Sequence, residues 1–276
     1  MRRYRIVASD LDGTLLNNNS QVSRENLDAI DEMTELGVYF VPSSGRTLAE
    51  IPAEIRDNEK IRYVIHSNGA VVWDRQQGQR ILHCIPNPVG REVLKVLSAY
   101  EVHLTIRHNG KCFVDAAFQD EKSNEYYNVI EAHRDCVQNY AVHLDNFLEY
   151  VNNADNVEVF SAFFHSYEEK LECKKRLEKL GTLRIVEAAQ SNLEIVNADA
   201  GKGNALQGLA DLLSIVIEDT ISVGDSDNDN SITQAAGLGL AVSNACDSLK
   251  AVADELICSN EEHAIAYIFA HYISNP

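Results

Sequence analysis

The chain has few prolines, few basic residues and no long apolar run. Only 5 of its 276 residues are proline and 45% are hydrophobic, a composition typical of an ordinary globular protein with a sizeable core. The length fits one large α/β domain or two smaller ones. No apolar run approaches the ~20 residues of a membrane-spanning helix. Arg2 and Arg3 are not followed by the apolar segment of a secretory signal, so none is predicted.

The shortage of basic residues bears on possible partners. Lys and Arg number 24 against 42 Asp and Glu, a formal net charge of −18. Proteins that bind nucleic acid usually carry a basic surface, and anionic membranes attract basic segments. We therefore expect neither nucleic acid nor membrane as a partner, and take the negative charge chiefly as a source of solubility. The sequence gives no prediction of oligomeric state.

Paired cysteine motifs are also missing. None of the six cysteines forms a CxxC pair, and the chain is too long to need disulfides for stability. Reduced, structural thiols and a cytoplasmic location are the prediction. The nine histidines show no spacing that would favour a metal site.

The first and last thirds of the sequence alternate between strand and helix patterns. Such alternation predicts a parallel sheet covered by helices. Ser23 and Gly37 are suited to begin and end the first helix. The remaining predictions are strands at 4–9, 38–41, 63–66, 220–223, 238–242 and 255–258, and helices at 47–58, 202–213, 228–236, 247–254 and 261–272.

The middle of the sequence has a different pattern. A hairpin is predicted around His108-Asn109-Gly110, a half-buried strand at 157–163 and a charged amphipathic helix at 168–180. Hairpins mixed with helices indicate an α+β module. We therefore expect an α/β core formed by residues 1–83 and 192–276, with an inserted α+β cap domain at 84–191.

Polar turns follow or precede the predicted core elements. Asp10 and Asp12 come directly after the apolar run at 4–8, Ser44-Gly45-Arg46 follows the second strand, and Asp225 to Asp229 follows the strand at 220–223. Lys202 opens a helix, where the helix dipole disfavours a cation. Because parallel strands present their carboxyl ends at one edge of a sheet, the turns that follow strands are expected to meet there.

This collection of side chains suits phosphate chemistry. Clustered carboxylates need a cation, and oxygen ligands together with phosphate favour Mg²⁺. A lysine and a Ser-Gly turn provide the charge and the donors that a phosphate group binds. One hypothesis unites these parts: a carboxylate attacks phosphorus to form an aspartyl-phosphate, and a second carboxylate acts as general acid and base.

The ordered motifs resemble a known family. Asp10-Leu11-Asp12-Gly13-Thr14, Ser44-Gly45-Arg46, Lys202-Gly203 and Gly224 to Asp229 resemble motifs I to IV of the haloacid dehalogenase superfamily. Ser67-Asn68-Gly69-Ala70 and Ser243-Asn244-Ala245 resemble further marks of its Cof-type sugar-phosphatase branch. The resemblance covers nearly the whole chain and implies a Rossmann-like core with a cap between motifs II and III.

The resemblance also implies residue roles. Asp10 would be the nucleophile and Asp12 the general acid/base. Mg²⁺ would be held by the Asp10 and Asp225 side chains and the Asp12 backbone carbonyl. Asp229 would position Lys202 or a metal-bound water. The residues expected to bind phosphate or substrate are Leu11, Ser44, Gly45, Arg46, Lys202 and Asn228.

Several alternatives remain open. The same motifs fit a phosphotransferase or phosphomutase, or a protein that binds a phosphorylated ligand without catalysis. A membrane ion pump with similar chemistry is excluded by the missing spans. Arg46 is equally suited to touch substrate or to pair with an acid, and Asn68 to contact substrate or form a turn. The sequence identifies neither the phosphorylated metabolite, expected to be a sugar phosphate, nor the cap residues that select it.

Overall fold

The computed structural model describes residues 4–78, 80–118, 121–187 and 189–274. Its strands, in chain order, are β1 Ile6–Ser9, β2 Tyr39–Pro42, β3 Tyr63–His66, β4 Val71–Asp74, β5 Arg80–Leu82, β6 Val102–His108, β7 Lys111–Asp115, β8 Val142–Leu144, β9 Val159–Phe164, β10 Leu183–Val186, β11 Asn192–Asn197, β12 Thr220–Gly224, β13 Leu238–Val242 and β14 Glu255–Ile257. Its α-helices are α1 Arg24–Glu35, α2 Ala53–Arg56, α3 Asn87–Leu97, α4 Glu121–Tyr126, α5 Glu131–Asn139, α6 Phe147–Asn153, α7 Tyr167–Glu178, α8 Lys202–Leu212, α9 Asn230–Ala235, α10 Asp247–Lys250 and α11 Ala264–Ile268. Among the described residues, no helix is both long and apolar enough to cross a bilayer.

The chain forms two compact units. The first comprises Met1–Arg46, Ile51–Ile81 and Gly201–Pro276, and the second Thr47–Glu50 and Leu82–Ala200. The predicted domain boundary at 191/192 falls inside the second unit. The reason is that β11 pairs antiparallel with both β9 and β10.

A five-stranded sheet organises the first unit. Its strand order is β14-β13-β12-β1-β2, and every pairing is parallel. All four residues of β1 are buried, and Ile6 and Ala8 pack with apolar residues of α8 and α9. The chain leaves β1 toward β2 on one side, whereas β12 lies on the other. The carboxyl ends of β1 and β12 therefore meet at a topological switch point, where α/β proteins form their sites.

The second unit is built on a six-stranded sheet. Its order is β10-β11-β9-β6-β7-β8, antiparallel except for the β7–β8 pair. Apolar residues of α3, α6 and α7 form one core cluster with β6, β9 and β11. The predicted hairpin is present, and Asn109 and Gly110 both adopt positive φ, as its two-residue turn requires. The predicted α/β class is confirmed.

Some predicted elements differ from the structure. The helix expected at 47–58 is broken at Pro52, which lacks an N–H donor, into a short turn at Leu48–Glu50 and α2. The strand expected to be half-buried, β9, is buried at every residue because it lies inside the sheet of the second unit. The helix expected from residue 261 begins at Ala264, since His263 has a left-handed backbone conformation.

Candidate active site

Asp10 lies at the carboxyl end of β1, beside the end of β12. Its backbone N–H donates to the Val223 carbonyl oxygen at 2.9 Å, which continues the parallel pairing by one residue. The chain then turns at Gly13, whose φ is +76°. A Cβ atom at Gly13 would lie 2.6 Å from Asp225 Oδ2, so only glycine lets the turn approach this carboxylate. The loop after β1 and the loop after β12 are thus packed against each other.

Lys202 links two buried carboxylates. Its Nζ donates to Asp10 Oδ1 and to Asp229 Oδ1, each at 2.6 Å. The three side chains are 1%, 6% and 0% exposed, respectively. A lysine at the first residue of α8, disfavoured by the helix dipole, is therefore neutralised by acids from two other loops.

Asp229 also shapes the loop that follows β12. Its Oδ2 accepts the backbone N–H groups of Asp225 and Ser226 at 3.1 Å each. A Cβ atom at Gly224 would lie 2.5 Å from Asp229 Oδ2, so the glycine leaves room for this carboxylate. Asp229 thus holds both Lys202 and the backbone that carries Asp225.

Burial and mutual repulsion perturb these acids. Desolvation raises the pKa of Asp10 to about 8, with repulsion from Asp229 and Asp225 adding to it and attraction to Lys202 opposing it. Desolvation and repulsion from Asp229 raise the pKa of Asp225 to about 6. Burial alone would lower the pKa of Lys202, but attraction to Asp10 and Asp229 raises it instead. Lys202 is therefore charged at neutral pH, whereas Asp10 is mostly protonated there as long as no further cation is bound.

Ser44 and Arg46 belong to the turn that follows β2. Ser44 is buried, and its Oγ accepts the Arg46 backbone N–H at 3.1 Å. The Ser44 backbone N–H donates to the Ile65 carbonyl oxygen at 3.0 Å, which fixes the turn to the end of β3. The Arg46 side chain forms a two-pronged ion pair with Asp12, from Nε at 2.9 Å and from Nη2 at 2.6 Å.

Asn228 and Gly45 meet at Asn68. Asn228 Nδ2 donates to Asn68 Oδ1 at 3.1 Å, and a Cβ atom at Gly45 would lie 2.9 Å from the same oxygen. Asn68 has a φ of +53°, so it forms a turn and also contacts the neighbouring loop. The structure therefore brings Gly45 and Asn228 together through a residue that the sequence left open. The Leu11 side chain is fully buried, so only its backbone is available to a ligand.

Three asparagines support the loop after β1, and no site role was predicted for them. Asn244 Nδ2 donates to the Gly13 carbonyl oxygen at 2.8 Å, and Asn244 Oδ1 accepts the Asn260 N–H at 3.0 Å. Asn260 and Asn26 donate to the carbonyl oxygens of Leu16 and Leu15. Asn26 and Asn260 are buried, a rare environment for an amide unless it is hydrogen-bonded. Only Ser243-Asn244-Ala245 carried a sequence signal, as part of the resemblance.

The acidic residues have the composition of a site for a hard cation. One carboxylate oxygen from each of Asp10, Asp225 and Asp229 can be chosen so that all three lie within 4.8 Å of one another. Ionisation of all three acids against the single ammonium of Lys202 would leave negative charge that a divalent cation would balance. Oxygen-only donors beside a phosphate site suit Mg²⁺. The residues present therefore fit this ion.

Fold and site together define an α/β enzyme whose acidic centre lies at the switch point of a parallel sheet. The profile of the haloacid dehalogenase-like hydrolases matches residues 7–269, and the chain belongs to this family. The resemblance found in the sequence is thereby confirmed.

Similar proteins cover nearly the whole chain. Phosphatase YwpJ of Bacillus subtilis is 32% identical over 98% of this chain and 100% of its own. The 5-amino-6-(5-phospho-D-ribitylamino)uracil phosphatase YwtE of the same organism is 28% identical over 97% and 98%. Among solved structures, TM0651 from Thermotoga maritima is 26% identical, covers 99% of this chain and 98% of its own, and superposes with a TM-score of 0.81. The chain is thus an enzyme of the phosphoric monoester hydrolase class.

Proposed function

We propose that this enzyme is a Mg²⁺-dependent phosphatase that hydrolyses a small phosphorylated metabolite through an aspartyl-phosphate. The observation that carries the proposal is the buried cluster in which Lys202 contacts Asp10 and Asp229 while Asp225 lies beside them. A buried carboxylate held by a lysine at a strand end is suited to nucleophilic attack on phosphorus.

The cation site would use residues already in place. The Asp10 and Asp225 side chains and the Asp12 backbone carbonyl would hold Mg²⁺. The ion would cancel the negative charge that separates an anionic nucleophile from an anionic phosphate. Asp229 already accepts hydrogen bonds from Lys202 and from two backbone N–H groups, so we assign it to positioning these groups rather than to the reaction itself.

The proposed reaction has two steps, and the Asp10 and Asp12 side chains act in both. Asp10 forms an O–P bond as the bond from phosphorus to the leaving oxygen breaks, and Asp12 donates a proton to that oxygen. Asp12 then takes a proton from water as the water oxygen attacks phosphorus, which releases inorganic phosphate and regenerates the Asp10 carboxylate. Lys202 fixes Asp10 Oδ1 throughout, so the nucleophile stays oriented.

The phosphate is proposed to lie among the turns that follow the strands. The Ser44 hydroxyl, the backbone N–H groups of Leu11 and Gly45, the Lys202 ammonium and the Asn228 amide supply donors of the kinds that phosphate oxygens accept. Arg46, placed with these ligands on sequence grounds, forms an ion pair with Asp12 in the structure.

For the substrate we propose a phosphorylated sugar or sugar-like polyol. The substrate in the name of YwtE contains a phosphorylated ribityl chain, which supports this class of substrate. The second unit is proposed to act as a cap whose residues select the substrate. The cytoplasm is proposed as the compartment, on the ground that the six cysteines include no CxxC pair.

The test is phosphate release from a panel of phosphorylated metabolites, with Mg²⁺ and with EDTA. Asp10→Asn should abolish turnover, and Asp211→Asn, an exposed acid on α8, is the matched control. Activity of Asp10→Asn within tenfold of the wild type would refute the nucleophile, and equal rates in EDTA would refute the metal. Transfer of phosphate to an added acceptor sugar, with little free phosphate, would favour the phosphotransferase alternative.

A further inference from the structure

The Arg46–Asp12 ion pair is the best-defined contact of the Asp12 side chain. Both carboxylate oxygens are engaged, Oδ2 by Nε and Oδ1 by Nη2. A planar fork that binds both oxygens fixes the direction of a carboxylate as well as its distance. The Asp12 side chain is 55% exposed, so the protein core does little to hold it. Its orientation therefore depends on Arg46.

The backbone of Arg46 is held within the first unit. Its N–H donates to Ser44 Oγ at 3.1 Å, and its carbonyl oxygen accepts the Ser67 N–H at 2.9 Å. Both backbone groups are therefore engaged, and the guanidinium reaches Asp12 from a fixed point in the turn after β2.

We propose that Arg46, whose backbone is held by Ser44 and Ser67, is a positioning residue for Asp12. This inference rests on the proposed acid/base role of Asp12. Displacement by 1 Å of a group that must meet a reacting atom can cost about 10²-fold in rate.

Loss of Asp12 positioning should change the rates of the two steps in a way that depends on the leaving group of the ester. An ester with a stable leaving group, p-nitrophenyl phosphate, needs no proton to expel its alcohol, whereas benzyl phosphate does. Loss of Asp12 positioning should therefore spare the first step with p-nitrophenyl phosphate and slow it with benzyl phosphate. The second step, which needs a base, should slow for both esters. A burst of p-nitrophenolate followed by slow turnover is the expected signature.

The experiment compares Arg46→Met with Arg56→Met. Arg56 forms a similar two-pronged pair with Asp57 on the surface of the first unit, so it controls for loss of an arginine. We expect Arg46→Met to lower kcat for benzyl phosphate about 10²-fold and to release a burst of p-nitrophenolate followed by slow turnover, and Arg56→Met to behave as the wild type. A rise in KM of the same size for both esters, with kcat unchanged, would show that Arg46 binds substrate and would overturn the proposal.

Asp12→Asn separates failure of this inference from failure of the proposed function. If Asp12→Asn shows the burst and the leaving-group dependence but Arg46→Met does not, Asp12 is the acid/base and the positioning proposal is wrong. If Asp12→Asn shows neither, the acid/base assignment itself fails.

Discussion

Replacing Lys202 with methionine should destabilise the first unit through charge. Methionine keeps an unbranched side chain of similar length but removes the ammonium that contacts Asp10 and Asp229 at 2.6 Å each. Removing one partner of a buried ion pair typically costs about 3–5 kcal/mol, because the remaining charge is buried and uncompensated. With two carboxylates left behind, we expect a loss in the upper part of that range for the metal-free protein at pH 8.

The loss should depend on pH, with a sign that follows from Asp10. Its pKa in the folded wild type is about 8 against 3.8 in the unfolded chain. A carboxyl whose folded pKa is raised favours folding at low pH, and this stability is lost as pH rises from about 4 through about 8. Without Lys202 the charged form of Asp10 is still less favourable. The stability of Lys202→Met should therefore keep falling above pH 8, where the contribution of Asp10 to the stability of the wild type levels off.

The assay is urea unfolding of EDTA-treated protein, followed by tryptophan fluorescence at pH 8 and pH 9. Trp73, on β4, is the only tryptophan of the chain, so the signal reports the first unit. We expect a larger deficit at pH 9, where Asp10 is ionised in the folded wild type but stays protonated in the variant. A deficit below about 1 kcal/mol at pH 8, the size of a surface ion pair, would refute the account. So would a deficit of the same size at both pH values.

Two further predictions concern the turn after β1 and the core of the second unit. Gly13→Ala should abolish activity because its Cβ atom would lie 2.6 Å from Asp225 Oδ2. Gly37 has a similar φ of +81°, but nothing lies within 4 Å of its Cβ position. Gly37→Ala should therefore lose only about 1–2 kcal/mol of stability in the same urea assay. His103 is fully buried and burial lowers its pKa to about 4 from 6.5. The second unit should therefore lose stability as pH falls from 6.5 to 4, by about 3 kcal/mol, and His103→Phe should reduce that loss. Amide hydrogen exchange of β6 measures it, and an unchanged pH slope in the variant would contradict the assignment.

The order of the core elements could be predicted because local pattern and tertiary environment agree there. The apolar run before Asp10 forms a buried parallel strand, and the polar turns that follow Ser9 and Gly224 lie side by side. Ser23 caps α1 through its side chain, as its position before an apolar pattern indicated. In each case a few neighbouring residues determine the conformation.

What the sequence left open depends on contacts between distant segments. Arg46 suited substrate or an acid equally well, and only the folded turn places its guanidinium on Asp12, 34 residues earlier in the chain. Asn244 bonds to Gly13 across 231 residues, with nothing periodic in the sequence to indicate it. The strand β11 joined the second unit because of its partners in the sheet and not because of its own composition.

The central claim is that Asp10 carries the phosphoryl group, and chemical trapping tests it most directly. Asp12→Asn mixed with a radiolabelled phosphate ester, p-nitrophenyl phosphate, should accumulate the intermediate because the second step lacks its base. After acid quench and peptide mapping, we predict one label per active chain, on the peptide that contains Asp10, and none when Asp10→Asn is added to the variant. A stoichiometric burst of p-nitrophenolate with no label on Asp10, or with the label on another residue, would contradict the account.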